Sequence, residues 1–370
     1  MKFVKFSQLL DFQKKSHIKA GDGLKNGSFP FFTSSPLLSK YTDSFQFELP
    51  SLIFGTGGSA SIHICDKPFS VSTDCLVAQL KPDMLQKFEI KFIYYYLSGN
   101  VWILERGFKG AGLKHISKGY INDIDIPELP REEQKRIVKI LDETDACRQK
   151  RKQAIELLND YLKSVFLEMF GDPVQNPRKW DLKPLEKVAK LERGRFSPRP
   201  RNDPSYFNGE HPFIQTGDIS NSNHKLNKFV QTLNEKGTKV SKQFFKGDIV
   251  IAIVGATIGV TAILEIDVYA TDSVICIKPY GAVINNIYLE YVLRFWKKIL
   301  LRDAPEAARP NINLTILNNL KIILPPVELQ TRFVSIVEKV EDLRQDMIVQ
   351  SEEMEKQFQV LMQKAFKGEL

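Results

Sequence analysis

The densest group of cations in this chain lies in the stretch LERGRFSPRPR (191–201), where two prolines restrict the backbone. Its four arginines are Arg193, Arg195, Arg199 and Arg201. A guanidinium group presents a planar fork of N–H donors, which suits a phosphate or the O6 and N7 edge of guanine. The stretch is therefore a candidate DNA-binding loop. A solvated loop that only keeps the protein soluble is the alternative.

A second candidate site combines cations with glycines in the stretch RGFKGAGLKH (106–115). Glycine lets the backbone approach a phosphate closely, so cations beside it suit a nucleic-acid contact. An ordinary surface turn explains the stretch about as well. Two lysines near the start of the chain and one arginine in the second half are further candidates. The candidate DNA-binding residues outside the arginine-rich loop are therefore Lys14, Lys15, Lys109, Lys114, His115 and Arg309.

Two other stretches invite an enzymatic interpretation. FGTGG (54–58) is similar to a nucleotide-binding loop but lacks the full G-x-G-x-x-G pattern. NDPSYF (202–207) is similar to the [D/N]-P-P-[Y/F] loop of adenine methyltransferases but has one proline fewer. Because no Ser/His/Asp set and no pair of carboxylates stands out, we predict a chain without a catalytic site. A stand-alone adenine methyltransferase is the less favoured alternative.

The cysteines and histidines do not follow a metal-binding pattern, so we predict no metal site. No C-x-x-C or H-E-x-x-H spacing occurs among Cys65, Cys75, Cys147, Cys276 and the five histidines. No apolar run approaches the ~20 residues of a membrane span, and the start of the chain does not read as a secretory signal. We therefore expect reduced thiols, a cytoplasmic location and no membrane partner.

The chain contains an internal repeat at an offset of 196 residues. The stretch IPELPREEQKRIVKILDE (126–143) aligns with IILPPVELQTRFVSIVEK (322–339), and a weaker match joins STDCLVAQLKP (72–82) to ATDSVICIKP (270–279). Self-similarity of this extent indicates a duplicated structural unit. We therefore predict two equivalent halves, each with a divergent globular segment followed by a better preserved helical one.

The segments 131–170 and 327–370 are predicted to form helices about 60 Å long. Each follows a proline and ends near a glycine, Gly171 or Gly368. Apolar residues recur at alternating spacings of four and three, which predicts that the helices pair as a coiled coil, with central polar residues fixing the register. In an internally duplicated chain the natural pairing is antiparallel about a pseudo-two-fold axis. Two amphipathic helices on separate cores are the alternative. The predicted pairing residues are Ile137, Leu141, Arg148, Leu158, Leu162, Val165, Phe333, Val337, Arg344, Met354, Phe358 and Leu361.

The charge of the chain, +8 at pH 7, is concentrated in the globular segments. Segments 1–130 and 171–326 carry net charges of +3 and +7, whereas the two helical segments carry +1 and −3. A polyanion such as DNA is therefore expected to meet the globular segments. The helices suit contacts with proteins, and a pure scaffold without DNA contact is the alternative.

Three stretches resemble the specificity (S) subunit of type I restriction-modification systems: 110–145, 165–180 (VFLEMFGDPVQNPRKW) and 307–333. The first begins GAGLKHISKGY and the third AARPNINL, and the resemblance covers nearly the whole chain. It implies an α+β fold with an internal pseudo-two-fold repeat. Two α/β target-recognition domains, 1–130 and 171–326, would be separated by long helices at 131–170 and 327–370 that pair as an antiparallel coiled coil.

The resemblance also implies a function and a set of partners. Each recognition domain would read one half of an asymmetric, split site in double-stranded DNA, and the helices would set the spacing. Two methyltransferase (M) subunits would dock on the helices, and restriction (R) subunits would join the full complex. This chain would hold no cofactor; S-adenosylmethionine, ATP and Mg would belong to the partner subunits. The specificity subunit of a type IIB- or IIG-like system is an alternative.

Overall fold

The computed structural model describes residues 2–302 and 311–369. The predicted α+β fold class is confirmed, because helices and sheets occur in both halves of the chain. The chain divides into two compact units: unit 1 comprises Met1–Ala154 and Met347–Leu370, and unit 2 comprises Ile155–Asp346. The assignment of 1–130 and 171–326 as DNA-recognition domains stays a prediction. None of the helices within the described ranges is long and apolar enough to cross a membrane.

The elements of unit 1 alternate short strands with short helices and end in a long helix. Its strands are β1 (Lys2–Lys5), β2 (Leu10–Phe12), β3 (Phe29–Phe32), β4 (Lys40–Thr42), β5 (Ser51–Gly55), β6 (Ser61–Cys65), β7 (Ser70–Val71), β8 (Cys75–Leu80) and β9 (Asp125–Glu128). Its helices are α1 (Phe6–Leu9), α2 (Ile90–Gly99), α3 (Val101–Glu105), α4 (Lys118–Asn122) and the first part of α5 (Arg131–Phe170). One sheet has the antiparallel order β2-β8-β5-β6, a second has the order β4-β3-β7, and β1 pairs with β9.

The core of unit 1 has two parts, one on each face of the sheet that contains β5. Strand β5 is buried at every position, since apolar layers cover both of its faces. Leu52 and Phe54 pack in the same cluster as Phe92 of α2, whereas Ile53 packs with Phe32 of β3. Alternate side chains of a strand point to opposite faces, so this single run of apolar residues supplies both layers.

Unit 2 repeats this plan with additional elements. Its strands are β10 (Asp181–Pro184), β11 (Ala189–Arg193), β12 (Phe207–Ile214), β13 (Lys225–Leu226), β14 (Gln231–Leu233), β15 (Lys242–Phe244), β16 (Ile249–Ala252), β17 (Thr261–Leu264), β18 (Val268–Ala270), β19 (Val274–Pro279) and β20 (Lys321–Leu324). Its helices are the second part of α5, then α6 (Thr216–Asn221), α7 (Glu235–Val240), α8 (Asn286–Arg302), α9 (Leu314–Asn318) and the first part of α10 (Val327–Lys367). The sheets have the orders β11-β19-β16-β17-β13 and β14-β12-β18-β15, and β10 pairs with β20.

The core of unit 2 follows the same two-sided arrangement around β16. Ile249 and Ile251 pack in one cluster with Tyr288 of α8. Val250 faces the other way and packs with Phe244 of β15. Strand β16 therefore occupies the place in unit 2 that β5 occupies in unit 1, as the repeat predicts.

Both long helices begin directly after a proline and end at a glycine. The carbonyl oxygens of Pro130 and Pro326 accept the first backbone hydrogen bonds of α5 and α10. Gly171 and Gly368 follow the last helical turns with φ values of 76° and 77°. Glycine adopts this left-handed conformation without a steric penalty, so both helices end where the sequence supplies one.

Within unit 1, the first part of α5 lies antiparallel to the last part of α10. Leu141 packs in the same core as Phe358 and Met362. Nη2 of Arg148 donates to Oε2 of Glu355 at 2.5 Å, and the guanidinium carbon lies 4.0 Å from the ring centroid of Phe358. The coiled-coil pairing is therefore direct, and a partly buried arginine participates in it.

Within unit 2, the last part of α5 lies antiparallel to the first part of α10. The rings of Phe166 and Phe333 meet edge to face, with centroids 5.3 Å apart. Nη2 of Arg344 donates to Oδ1 of Asn159 at 2.8 Å. These two polar residues are the counterparts, at the repeat offset of 196, of the arginine and glutamate that pair in unit 1. A pseudo-two-fold repeat produces such reciprocal contacts.

The predicted pairing residues are distributed along the buried side of both helices. Ile137, Leu141, Leu162, Phe333, Val337, Arg344 and Phe358 are buried, and Arg148, Leu158, Val165, Met354 and Leu361 are partly buried. Near the end of α5 the fully buried residues are Phe166 and Phe170, one position beyond the predicted stripe. An α-helix drifts by about 20° per heptad relative to a strict seven-residue repeat, which moves the buried stripe.

Two buried glutamines attach the long helices to the globular parts. In unit 1, Oε1 of Gln134 accepts the backbone N–H of Glu89 at 3.0 Å. Its Nε2 donates to the carbonyl oxygens of Lys87 and Leu129 at 3.0 and 2.8 Å. Gln330, the counterpart in unit 2, likewise accepts from one backbone amide and donates to one backbone carbonyl. Both side chains therefore satisfy main-chain groups that helix packing removes from water.

Replacing Gln134 with leucine is expected to destabilise unit 1 by about 1–3 kcal/mol, because buried backbone groups lose their partners. Gln149→Leu makes the same chemical change at an exposed position of α5 and should change stability by no more than about 0.5 kcal/mol. Hydrogen exchange at the amides of α5 measures both effects. Equal protection in the two variants would contradict the anchoring role.

Candidate nucleic-acid interface

The arginine-rich loop of unit 2 begins at the end of β11 and packs against the turn between β18 and β19. A Cβ atom on Gly194 would lie 2.1 Å from the carbonyl oxygen of Thr271, so only glycine fits there. The backbone N–H of Arg195 donates to the carbonyl oxygen of Ala270 at 3.0 Å. The loop is therefore held to a rigid turn of the sheet rather than suspended in solvent.

The four arginines of this loop are exposed, but their heads have different partners. Nε of Arg193 donates to the carbonyl oxygen of Asp272 at 2.6 Å, and Nη2 of Arg195 donates to the carbonyl oxygen of Ser241 at 3.0 Å. Nη1 of Arg199 turns back on its own loop and donates to three successive carbonyl oxygens, of which that of Pro198 is 2.7 Å away. Nη1 of Arg199 is therefore occupied by the backbone of its own loop.

Arg201 differs from the other three because it pairs with a carboxylate. Its Nη2 lies 2.7 Å from Oδ2 of Asp272, and its side chain is half-exposed. Within the described residues, Oδ1 of Asp272 is buried and has no hydrogen-bond partner. The loop thus contains one oriented arginine beside an incompletely satisfied carboxylate.

The glycine-rich stretch of unit 1 forms a tight hairpin. The backbone groups of Lys109 and His115 exchange two hydrogen bonds of 3.0 Å, which leaves residues 110–114 at the tip. Nδ1 of His115 lies 3.1 Å from the carbonyl oxygen of Thr56, in the FGTGG stretch. Lys109, Lys114 and His115 are exposed, so the structure groups these three predicted residues on one hairpin.

A chain of hydrogen bonds links this hairpin to the other predicted cationic segment of unit 1. The carbonyl oxygen of Asp74 accepts from the amide and the hydroxyl of Thr56, both at 2.9 Å. The neighbouring amide of Thr73 donates to the carbonyl oxygen of Ile18 at 2.8 Å. Lys14 and Lys15 are exposed in the loop that leads to Ile18. Arg309 lies outside the described residues.

The two stretches considered as enzymatic motifs belong to different compact units. FGTGG ends strand β5 of unit 1 and contacts the hairpin described above. In NDPSYF of unit 2, the Asp203 carboxylate caps a single helical turn at Pro204–Tyr206. Among residues 2–302 and 311–369, no group of three or more metal-ligating side chains is present. The two loops described above present arginine, lysine and glycine to solvent, and cationic side chains on such loops suit contacts with nucleic-acid phosphates.

A family model described as a type I restriction modification DNA specificity domain matches residues 1–158 and 177–353. The chain belongs to this family. The predicted resemblance is confirmed, and the two matched segments correspond to the two copies of the internal repeat.

Individual relatives of this chain are distant but cover most of its length. The type I restriction enzyme MjaVIII specificity subunit of Methanocaldococcus jannaschii is 24% identical over 311 residues, which cover 75% of this chain and 70% of the relative. The EcoBI specificity subunit of Escherichia coli is 24% identical over 362 residues, 86% of this chain and 73% of the relative. The crystal structure of an S subunit from M. genitalium aligns with a TM-score of 0.59 at 16% identity, covering 98% of this chain and 95% of that one.

Unit 2 also contains a charged cluster around a buried glutamate, which the sequence patterns did not predict. Glu290 of α8 is fully buried and accepts hydrogen bonds from Thr261, His224 and Arg294 at 2.6, 3.0 and 2.7 Å. Burial alone would raise the pKa of Glu290, but Arg294 and His224 outweigh it and hold the pKa at about 2. A glutamate within the apolar run IYLEYVL was the available signal.

Proposed function

We propose that this chain is the DNA-specificity subunit of a type I restriction-modification complex. Each unit would contact one half of a split site in double-stranded DNA, and the paired helices would hold the halves at a fixed spacing. The observation that carries the proposal is the duplicated architecture: two units of similar topology each present cationic loops, and each contains an antiparallel pairing of one part of α5 with one part of α10. Because the loops of the two units differ in sequence, the half-sites should differ as well.

The partners proposed for this chain are two methyltransferase subunits on the helices and restriction subunits in the full complex. Apolar side chains exposed on the long helices support a protein contact there. They are Leu157, Tyr161, Val327 and Leu343 in unit 2 and Val349 and Val360 in unit 1. Leu157 and Tyr161 lie one helical turn apart on α5, so they form an adjacent apolar pair, and adjacent exposed apolar residues mark interaction sites where scattered ones do not.

We also propose that the chain itself is not an enzyme and holds no cofactor. S-adenosylmethionine, ATP and Mg would bind the partner subunits, and the methylated base would be flipped into the methyltransferase. The four cysteines are free thiols, which supports a reducing, cytoplasmic setting. Calorimetric titration of the purified chain with S-adenosylmethionine tests whether the cofactor binds only the partner subunits. Heat of binding to the chain alone would contradict this assignment.

The main proposal is tested by comparing DNA methylation by the assembled complex with methylation by its partner subunits without this chain. Methylation-sensitive sequencing should reveal one bipartite adenine-methylated motif that disappears when the chain is omitted. Binding of the complex to that motif should weaken steeply with salt, because phosphate contacts release counterions. A motif that persists without the chain would contradict the proposal. A partner that carries methyltransferase and nuclease in one polypeptide would instead favour the type IIB- or IIG-like alternative.

Shortening both helices together is expected to shorten the unread spacer of the DNA site. Segments 149–155 and 348–354 lie opposite each other in the register defined by Arg148 with Glu355 and Arg344 with Asn159. Deleting both removes about 10 Å of helix, which corresponds to about three base pairs. Sequencing of methylated sites measures the spacer.

The control for this prediction is deletion of 149–155 alone, which should break the register and abolish assembly. An unchanged spacer after the double deletion would contradict the role of the helices in setting the distance.

A further inference from the structure

We infer that Arg201, oriented by Asp272, reads a guanine in the half-site contacted by unit 2. The inference rests on the proposed function, since it requires that unit 2 meets duplex DNA. It goes beyond the proposed function by assigning the recognition of one base to one side chain of the arginine-rich loop. The other arginines of the loop receive different roles.

The contacts of the loop separate Arg201 from its neighbours. Arg199 donates to three carbonyl oxygens of its own loop and therefore stabilises the loop's shape. Arg193 and Arg195 each donate to a backbone carbonyl of a neighbouring segment, which attaches the loop to the sheet. Arg201 is the one whose head meets a carboxylate, at 2.7 Å, while half of its side chain stays exposed.

A guanidinium group held by a carboxylate on one side is suited to a base edge on the other. Two of its donors remain available as a planar fork, and the O6 and N7 atoms of guanine accept such a fork. Fixing the side chain before binding reduces the conformational entropy that is lost on binding. The adjacent negative charge disfavours a phosphate, which is itself an anion, more than it disfavours a neutral base. The pair therefore favours base recognition over a backbone contact.

The position of Asp272 is set by the backbone around it. The close approach of Gly194 to Thr271 fixes the turn, and Nε of Arg193 holds the carbonyl oxygen of Asp272. The buried Oδ1 atom of Asp272 lacks a partner among the described residues, which costs stability. Because the rigid turn holds the carboxylate in place despite this cost, its other oxygen, Oδ2, is a fixed acceptor that orients Arg201.

The repeat provides an internal comparison. Asp74 occupies the corresponding place in unit 1, in the aligned stretches STDC and ATDS. Its side chain is exposed, and within the described part of the chain no cation pairs with it. The arginine–aspartate pair therefore belongs to unit 2 only. Recognition of guanine by this pair is expected in one half-site and not in the other.

The experiment uses the complete complex with its methyltransferase subunits and a duplex library randomised over the bipartite site. Arg201→Lys keeps the positive charge but removes the fork. It should reduce the preference for guanine at one base pair of one half-site by about fivefold to 150-fold, with an unchanged dependence of binding on salt. Asp272→Ala should reduce the same preference without weakening the binding of unrelated duplex. Asp74→Ala is the matched control and should leave that base pair unaffected.

Three results would overturn the inference. Arg201→Lys could retain the parental preference at every position. The preference could fall equally at positions of both half-sites, which would indicate general weakening. Arg201→Ala could lower affinity for all sequences alike and reduce the salt slope by about one, which identifies a phosphate contact. Unaltered recognition of the other half-site verifies that each variant is folded. If the parental complex selects no sequence, the proposed function fails instead.

Discussion

Replacement of Glu290 with alanine is expected to destabilise unit 2 by about 3 kcal/mol, because it leaves the partly buried charge of Arg294 without its counter-ion. Arg294 approaches the carboxylate at 2.6 Å, and its guanidinium carbon lies 3.7 Å from the ring centroid of Tyr291. Changing Arg294 to methionine in addition should recover much of the loss, since an apolar pair needs no counter-ion.

Hydrogen exchange at the amides of α8 and β17 measures this loss within unit 2 itself, whereas a single melting temperature would mix the two units. Glu186→Ala is the matched control, because Glu186 is exposed in the same unit. A Glu290→Ala protein with protection close to that of Glu186→Ala would contradict the role assigned to the cluster.

The same cluster predicts how the stability of unit 2 depends on pH. The folded-state pKa of Glu290, about 2, lies below its ordinary value of 4.5, so the folded state favours the ionised form. Its contribution is therefore fully present above about pH 4.5 and is lost as the pH falls toward 2. Glu290→Gln should flatten the decrease of stability across this interval.

Replacement of Phe166 with alanine is expected to cost unit 2 about 3–5 kcal/mol and to separate the helices within that unit. Phe166 is fully buried, and its ring lies within 6 Å of the rings of Phe170, Phe295 and Phe333. Removing it leaves a cavity at the point where α5 and α10 meet.

Leu157→Ala is the matched control, because Leu157 lies on the same helix but is 62% exposed. It should be nearly neutral for stability. Hydrogen exchange in the last part of α5 and the first part of α10 distinguishes the two variants. Methylation by the assembled complex should lose the half-site of unit 2 in the Phe166 variant. Equal exchange in both variants would contradict the assignment of Phe166 to the helix pair.

The repeat, the helix limits and the antiparallel pairing were accessible from sequence because each has a local signal. Proline before a helix and glycine after it restrict backbone angles wherever they occur, so α5 and α10 could be delimited without knowing their surroundings. The identity of the buried face near Phe166 was not accessible in the same way. It depends on how far a straight helix drifts over five turns, which packing against the rest of unit 2 decides.

The candidate DNA-binding residues illustrate the opposite case. The sequence located the cationic loops, because clusters of arginine and lysine can be counted directly in it. It could not distinguish Arg199 from Arg201, because their partners come from the loop backbone in one case and from a turn about 70 positions away in the other. Glu290 was missed because two of its three partners, His224 and Thr261, reach it only when β17 and the segment before β13 pack against α8.

The division of the chain has a consequence for its biosynthesis. Phe358, Met362 and Ala365 belong to the core of unit 1, although the remainder of that core is encoded before residue 155. A ribosome that adds about 5–20 residues per second must work for roughly 10–40 s on the intervening segment before these side chains emerge. During that interval the nascent amino-terminal part exposes apolar surface that its own carboxyl-terminal helix will later cover. Truncated products of this gene should consequently depend on chaperones, and supplying the missing helix as a separate peptide should relieve that dependence.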